Sequence, residues 1–195
     1  MKIVLATRNP GKVAELRALL ADLPVELVSA GDLDGAPDVE EDAPTLEGNA
    51  RKKAEALHRF AGLPALADDT GLEVDALRGA PGVHSARFAG LDADDAANRA
   101  RLLRDLDGSD DRGARFRTVL AFADGDDVQF FDGICEGQIT ESERGSEGFG
   151  YDALFQPEGE TQTFSEMTAE AKNAISHRGR ALAQFAAFLR NRLPG

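Results

Sequence analysis

Cysteine occurs once among the 195 residues, as Cys135. A lone thiol excludes an intrachain disulfide framework and any cysteine-rich zinc site, and Cys135 is expected as a buried strand residue rather than a nucleophile. Long apolar runs are lacking as well: no stretch approaches the roughly 20 residues of a membrane span. The opening MKIVLATRN has neither the long apolar segment nor the small-residue cleavage site of a secretory signal. The expectation is a cytoplasmic protein with no membrane partner. Basic charge is scarce, with 22 Lys and Arg against 35 Asp and Glu and a net charge of −13. That argues against general nucleic-acid or anionic-membrane binding, which need a basic surface. A small polyanion is still admissible, because local Lys and Arg groups bind phosphates while a metal ion neutralises the rest. Repeats, linkers and low-complexity tracts are missing too, so the 42% hydrophobic content predicts one domain over residues 1–195.

Along the chain, residues 2–7 (KIVLAT) read as a strand, followed by a loop and a helical pattern at Val13, Leu16, Leu19, Leu20 and Leu23. A second strand is predicted at 25–29, and the acidic, Pro/Gly-rich stretch 31–44 reads as a long loop. Leu46, Ala50, Ala54, Leu57 and Ala61 mark an amphipathic helix capped by Thr45. Residues 63–67 predict a buried strand ending at Asp68 and Asp69, and 93–106 a helix whose charges read as a solvated face. Two strands at 115–123 and 128–140 form a hairpin signal, with a short strand at 151–156 and helices at 168–175 and 176–193. The last helix buries Leu182, Phe185, Ala186, Leu189 and Leu193. This order predicts an α/β protein with a mixed sheet covered by helices.

The run from 67 to 90, ADDTGLEVDALRGAPGVHSARFAG, opens on the paired carboxylates Asp68 and Asp69. Adjacent ionised acids in a partly buried place require a cation or donors, which points to a divalent metal; an Asx turn is the plainer alternative. The loop Thr7, Arg8, Asn9, Pro10, Gly11, Lys12 follows a strand and opens a helix, so its N–H groups and Lys12 can face an anion, although it also suits an ordinary βα turn. Glu40 and Glu41 offer hard oxygen ligands for Mg²⁺, or else belong to a solvated charge run. Lys53 lies nearer the apolar stripe than Lys52, and an inward lysine needs an anionic partner. Phe149 and Tyr151 sit among three glycines, where backbone and ring could meet a flat ligand. His177 and Arg178 fall in the first turn of a helix, where cations oppose the macrodipole and an anionic or polar ligand would explain them.

In this order, ATRNPGK, NARKKA, the 67–90 run, RGSEGFGYD and KNAISHRGRA resemble the motifs of the Ham1/inosine triphosphatase family, the non-canonical purine nucleoside triphosphate pyrophosphatases, over residues 2 to about 189. The resemblance implies a long mixed sheet flanked by helices, two lobes with a nucleotide cleft between them, and a homodimer. It implies Mg²⁺-dependent hydrolysis of ITP, dITP and XTP to the monophosphate and pyrophosphate. By the same resemblance, Thr7 to Lys12 form the phosphate loop, Asp69 is proton acceptor and metal contact, and Glu40 is the second metal-linked acid. Lys53 is a phosphate-side lysine that joins Asp69 in the chemical core, and Thr70 touches the nucleotide. Phe149, Gly150, Tyr151 and Asp152 bind the base, and Lys172, His177 and Arg178 read the purine. A donor-only Arg178 would bond a 6-oxo purine and oppose the amino group of adenine. Rejection of GTP has no residue assigned to it.

Three positions depart from the family pattern. Leu46 and Gly48 stand where phenylalanine and glutamate are usual, Ala153 replaces a proline, and Thr70 replaces a serine while keeping the hydroxyl. Two rivals remain at this stage: a Maf-type pyrophosphatase acting on pyrimidine or modified nucleotides, and a nucleotide-binding module without catalysis.

Overall fold

The computed structural model describes residues 1–192, so Leu193 of the expected apolar stripe lies outside the described residues. Strand β1 (Lys2–Leu5), helix α1 (Pro10–Leu19) and strand β2 (Glu26–Ser29) form the expected parallel unit, with Lys2 opposite Glu26 and Leu5 opposite Ser29. The Asn9 side chain accepts from the Lys12 N–H and caps α1, and Pro10 takes a first-turn position where no N–H is needed. Helix α2 (Leu46–Ala61) starts at Thr45, whose hydroxyl accepts from the Gly48 N–H, as its sequence predicts.

Strand β3 (Ala65–Val74) corrects the sequence reading, because Asp68 and Asp69 lie inside a ten-residue strand rather than at its end. The strand changes partner around them. Ala65 and Leu66 pair in parallel with β1, whereas Leu72 and Glu73 pair antiparallel with β4 (Pro81–Gly82). The acids thus follow the point where β1 has ended, which preserves the relation of ligand groups to strand ends. Gly71 permits the second pairing: a Cβ there would stand 2.7 Å from the Gly82 carbonyl oxygen.

Helix α3 (Asp95–Asp105) is followed by β5 (Gly113–Asp124) and β6 (Asp127–Ile139), joined by a two-residue turn. The strand expected at 151–156 shrinks to β7 (Phe155–Pro157), since residues 151–154 are held in turns. Helices α4 (Ala169–Ile175) and α5 (His177–Arg192) complete the chain. The sheet order is β2-β1-β3-β5-β6-β7, with β4 beside β3, and it is mixed.

Two compact units share the chain. The first comprises residues 1–69, 118–133 and the chain from Arg178 onward; the second comprises 70–117 and 134–177. The first unit packs Ile3, Leu5, Leu66, Phe122, Leu182 and Phe185 into one core. The second packs Leu72, Leu102, Phe116, Leu154, Phe155 and Phe164, with Cys135 buried in β6 as expected.

Candidate active site

In the first unit, Asp68 and Asp69 are both buried yet have different surroundings. Asp68 Oδ2 lies 3.0 Å from Lys12 Nζ and accepts from Arg178 Nη2 at 3.2 Å and Nε at 3.4 Å. Burial pushes its pKa up, but Lys12, Arg178 and Lys53 together outweigh burial and hold the carboxyl well below the usual carboxylate range. Arg178, itself buried, also donates from Nη1 to Glu15 Oε2. The anions that explain a cation in the first turn of α5 are therefore the protein's own.

Asp69 faces helix α2. Its Oδ1 accepts from Lys53 Nζ at 3.0 Å and its Oδ2 from Asn49 Nδ2 at 3.2 Å. Burial drives its pKa above the ordinary value; Lys53 opposes that shift and the charge of Glu41 adds to it. Lys53 is buried as expected, and its Nζ also donates to Glu41 Oε1 and to the Asp68 carbonyl oxygen, both at 2.7 Å. Burial pulls its pKa down, but Asp69, Glu41 and Asp68 more than reverse this, so it stays an ammonium. Asn49 belongs to the site and was passed over in the sequence. Its Oδ1 accepts from the Ala43 N–H at 2.9 Å, fastening the acidic loop over Asp69's neighbour. The signal was present, because Asn49 and Lys53 are one turn apart on the apolar face of α2.

Gly48 permits that fastening, since a Cβ there would come within 2.7 Å of the Ala43 Cβ. Of the two loop acids, Glu41 is engaged by Lys53, whereas Glu40 is exposed. The donors suit Mg²⁺: Asp69 and the loop acids present hard oxygens, while Asp68 turns its Oδ2 to the side-chain cations Lys12 and Arg178. Among the described residues no group of three or more His, Cys, Asp or Glu could hold an ion by itself. An octahedral ion that takes one or two carboxylates and completes its shell with water and phosphate needs no more.

The Thr7 to Lys12 segment is a βα turn tied to the loop that follows β2. Ser29 Oγ donates to the Thr7 carbonyl, and Arg8 donates to Asp38 at 2.9 Å and to the Ala36 carbonyl at 2.8 Å. Gly11 lies in the first turn of α1 beside Lys12.

The second unit assembles the other predicted residues. Phe149 is half-buried, and its N–H donates to Asp152 Oδ2 at 3.0 Å, the same oxygen that accepts from Lys172 Nζ at 2.7 Å. Lys172 Nζ also lies 5.1 Å from the Phe149 ring centroid. Gly148 has φ +80°, and a Cβ there would stand 2.3 Å from Asp152 Oδ2, so only glycine lets Asp152 fold back on the loop. Tyr151 is buried and donates to the Ser85 carbonyl at 2.8 Å. His177 stacks on Phe116 with centroids 4.6 Å apart, inside the aromatic core. Thr70 is half-buried in β3. A cavity of about 650 Å³ is lined by Phe149, Gly148, Asp95, Arg99 and Glu147, among others.

A family model described as the Ham1 family matches residues 3–188. The chain is 54% identical over 185 residues to a dITP/XTP pyrophosphatase of Desulforamulus reducens, covering 93% of this chain and 92% of that one. It is 51% identical over 185 residues to a dITP/XTP pyrophosphatase of Streptomyces coelicolor, covering 92% of each. Among solved structures, a HAM1 protein from Coxiella burnetii superposes with a TM-score of 0.90 at 40% identity, over 98% of this chain and 99% of that one.

Proposed function

Because this chain belongs to the Ham1 family, we propose that it hydrolyses non-canonical purine nucleoside triphosphates, ITP, dITP and XTP, to the monophosphate and pyrophosphate, removing them from the nucleotide pool. The observation that carries the chemistry is the Lys53–Asp69 pair. A carboxylate fixed by Lys53 at one oxygen and Asn49 at the other, with its pKa raised by burial, is poised to orient a water and take its proton during attack on the α-phosphorus. Lys12 and Lys53 supply positive charge for the phosphates. Mg²⁺, held by Asp69 with an acid of the 40–41 pair, would neutralise the triphosphate and the leaving pyrophosphate.

In the second unit the Phe149 ring offers a face to a flat base. Lys172, donor-only and beside that ring, suits a 6-oxo acceptor and would confront the amino group of adenine. Arg178 was expected to share this task; its bonds to Asp68 and Glu15 support instead a role in holding Asp68. The family resemblance supports a homodimer, and no described helix is long and apolar enough to cross a membrane.

The test is pyrophosphate release with Mg²⁺ at alkaline pH, comparing ITP, XTP and dITP with ATP, GTP and dTTP. Turnover of the first three far above the others is expected. Preference for dTTP would favour a Maf-type activity, and no turnover a binding module.

A further inference from the structure

Two residues of α3, a helix whose charges read as plain solvated surface, close on the base-binding stretch. Asp95 Oδ2 accepts from the Gly150 N–H at 2.7 Å, and Arg99 Nη1 donates to the Gly150 carbonyl oxygen at 2.8 Å. We propose that Asp95 and Arg99 are positioning residues that fix the Phe149 ring by clamping both peptide groups flanking Gly150. The inference rests on the proposed role of residues 149–152 in binding the base.

The loop needs such a clamp. Gly148 and Gly150 both have positive φ, at +80° and +61°, so Phe149 sits between two residues whose backbone prefers no single conformation. Asp152 holds the Phe149 N–H with Oδ2 and the Phe149 carbonyl with its own N–H at 3.2 Å; the α3 pair adds the Gly150 N–H and carbonyl, the side of the loop that Asp152 leaves unheld. Spacing makes α3 suitable, since positions i and i+4 share a face, and the two side chains reach the donor and the acceptor of one residue.

Both bonds are charge-assisted and short, the stronger kind. Asp95 stands in the first turn of α3, where the helix dipole favours a carboxylate. Arg99 is braced by Glu143, whose Oε2 lies 3.0 Å from its Nε. The platform is itself anchored: buried Asn98 donates to the Ala86 carbonyl at 3.1 Å and accepts from the Ala89 N–H at 2.7 Å. A site mounted on a rigid helix is held more tightly than one on a loop alone.

The experiment pairs steady-state kinetics on ITP with amide hydrogen exchange of the ligand-free protein, for wild type, Asp95→Ala, Asp95→Asn, Arg99→Ala and Arg99→Lys. Each alanine variant is expected to raise KM about ten-fold with kcat within about two-fold, and to speed exchange at Phe149 and Gly150 about ten-fold. Asp95→Asn keeps an acceptor and Arg99→Lys a donor, so both should recover part of the loss. Unchanged exchange in the folded alanine variants overturns the clamp, as does a fall in kcat and thermal stability with KM unmoved. Faster exchange in the variants of a wild-type protein that does not turn over ITP would instead overturn the function proposed above and leave the clamp standing.

Discussion

Asp68 and Asp69 are adjacent in β3, so their side chains leave opposite faces of the strand, one to Lys12 and Arg178 and the other to Lys53 and Asn49. The first is held well below the usual carboxylate range and the second above it. Neighbouring acids with pKa values pushed apart divide the work between structure and proton transfer.

Replacing each acid should separate those tasks. Asp69→Asn keeps the shape and one acceptor, removes the charge and turns an NH2 toward a donor, and is expected to lower kcat about 10²- to 10⁴-fold while ITP still binds. Kinetics and equilibrium binding on the same preparation check this.

The activity profile should carry the signature of Asp69. Its carboxylate form accepts the proton, so kcat/KM falls as pH drops through its folded pKa, which lies above the ordinary value of about 4. Lys53→Gln removes the cation that opposes the upward shift, and the acid limb should move to higher pH. A pH–rate series on both proteins decides it.

Stability should report Asp68. Its folded pKa is depressed, so its contribution is present above the unfolded value of about 4 and is lost as pH falls through the folded value. Asp69, with a raised folded pKa, acts in the opposite sense, its contribution present below the unfolded value and lost as pH rises. Asp68→Asn removes the charge paired with buried Arg178 and half-buried Lys12 and should cost about 3–5 kcal/mol at neutral pH. Its melting temperature should also fall less than that of the wild type on acidification below about pH 4, as read by thermal melts across pH.

Metal removal distinguishes the loop acids. Chelation should abolish turnover and Mg²⁺ restore it. Glu40→Gln should raise the Mg²⁺ needed for half activation about ten-fold, whereas Glu41→Gln, which frees Lys53 of a partner, should lower kcat with little change in Mg²⁺ demand. Titrating activity with Mg²⁺ measures both.

Phe149→Ala should raise KM for ITP about ten-fold, the loss of one base-stacking platform, and Phe149→Tyr should restore most of it.

Much of this was legible from local signals. The β1-α1-β2 unit, the Thr45 cap, the hairpin turn and the inward Lys53 each rest on residues within a few positions of one another, and family membership was carried by motifs in order. The length of β3 was not legible, because carboxylates and a glycine interrupt its apolar run and only the partners supplied by β1 and β4 keep it extended. Nor was the fate of Arg178, whose carboxylate partner Asp68 lies 110 residues away. The α3 charges Asp95, Arg104 and Asp105 lie exposed as expected, but the contacts of Asp95 and Arg99 with Gly150 were not legible, because an Asp and an Arg at i, i+4 look the same whether they face water or a peptide group.

The Asp68 ion network also sets a condition on biosynthesis. Lys12, Glu15 and Asp68 emerge from the ribosome well before the Arg178 guanidinium that joins Glu15 to Asp68, which follows Asp68 by 110 residues. Until then the carboxylate has Lys12 but lacks the buried cation that completes its pairing. Fragments halted before Arg178 should accordingly be digested readily by protease and show no turnover. Interrupted synthesis would then yield disposable chains rather than partly active nucleotide hydrolases.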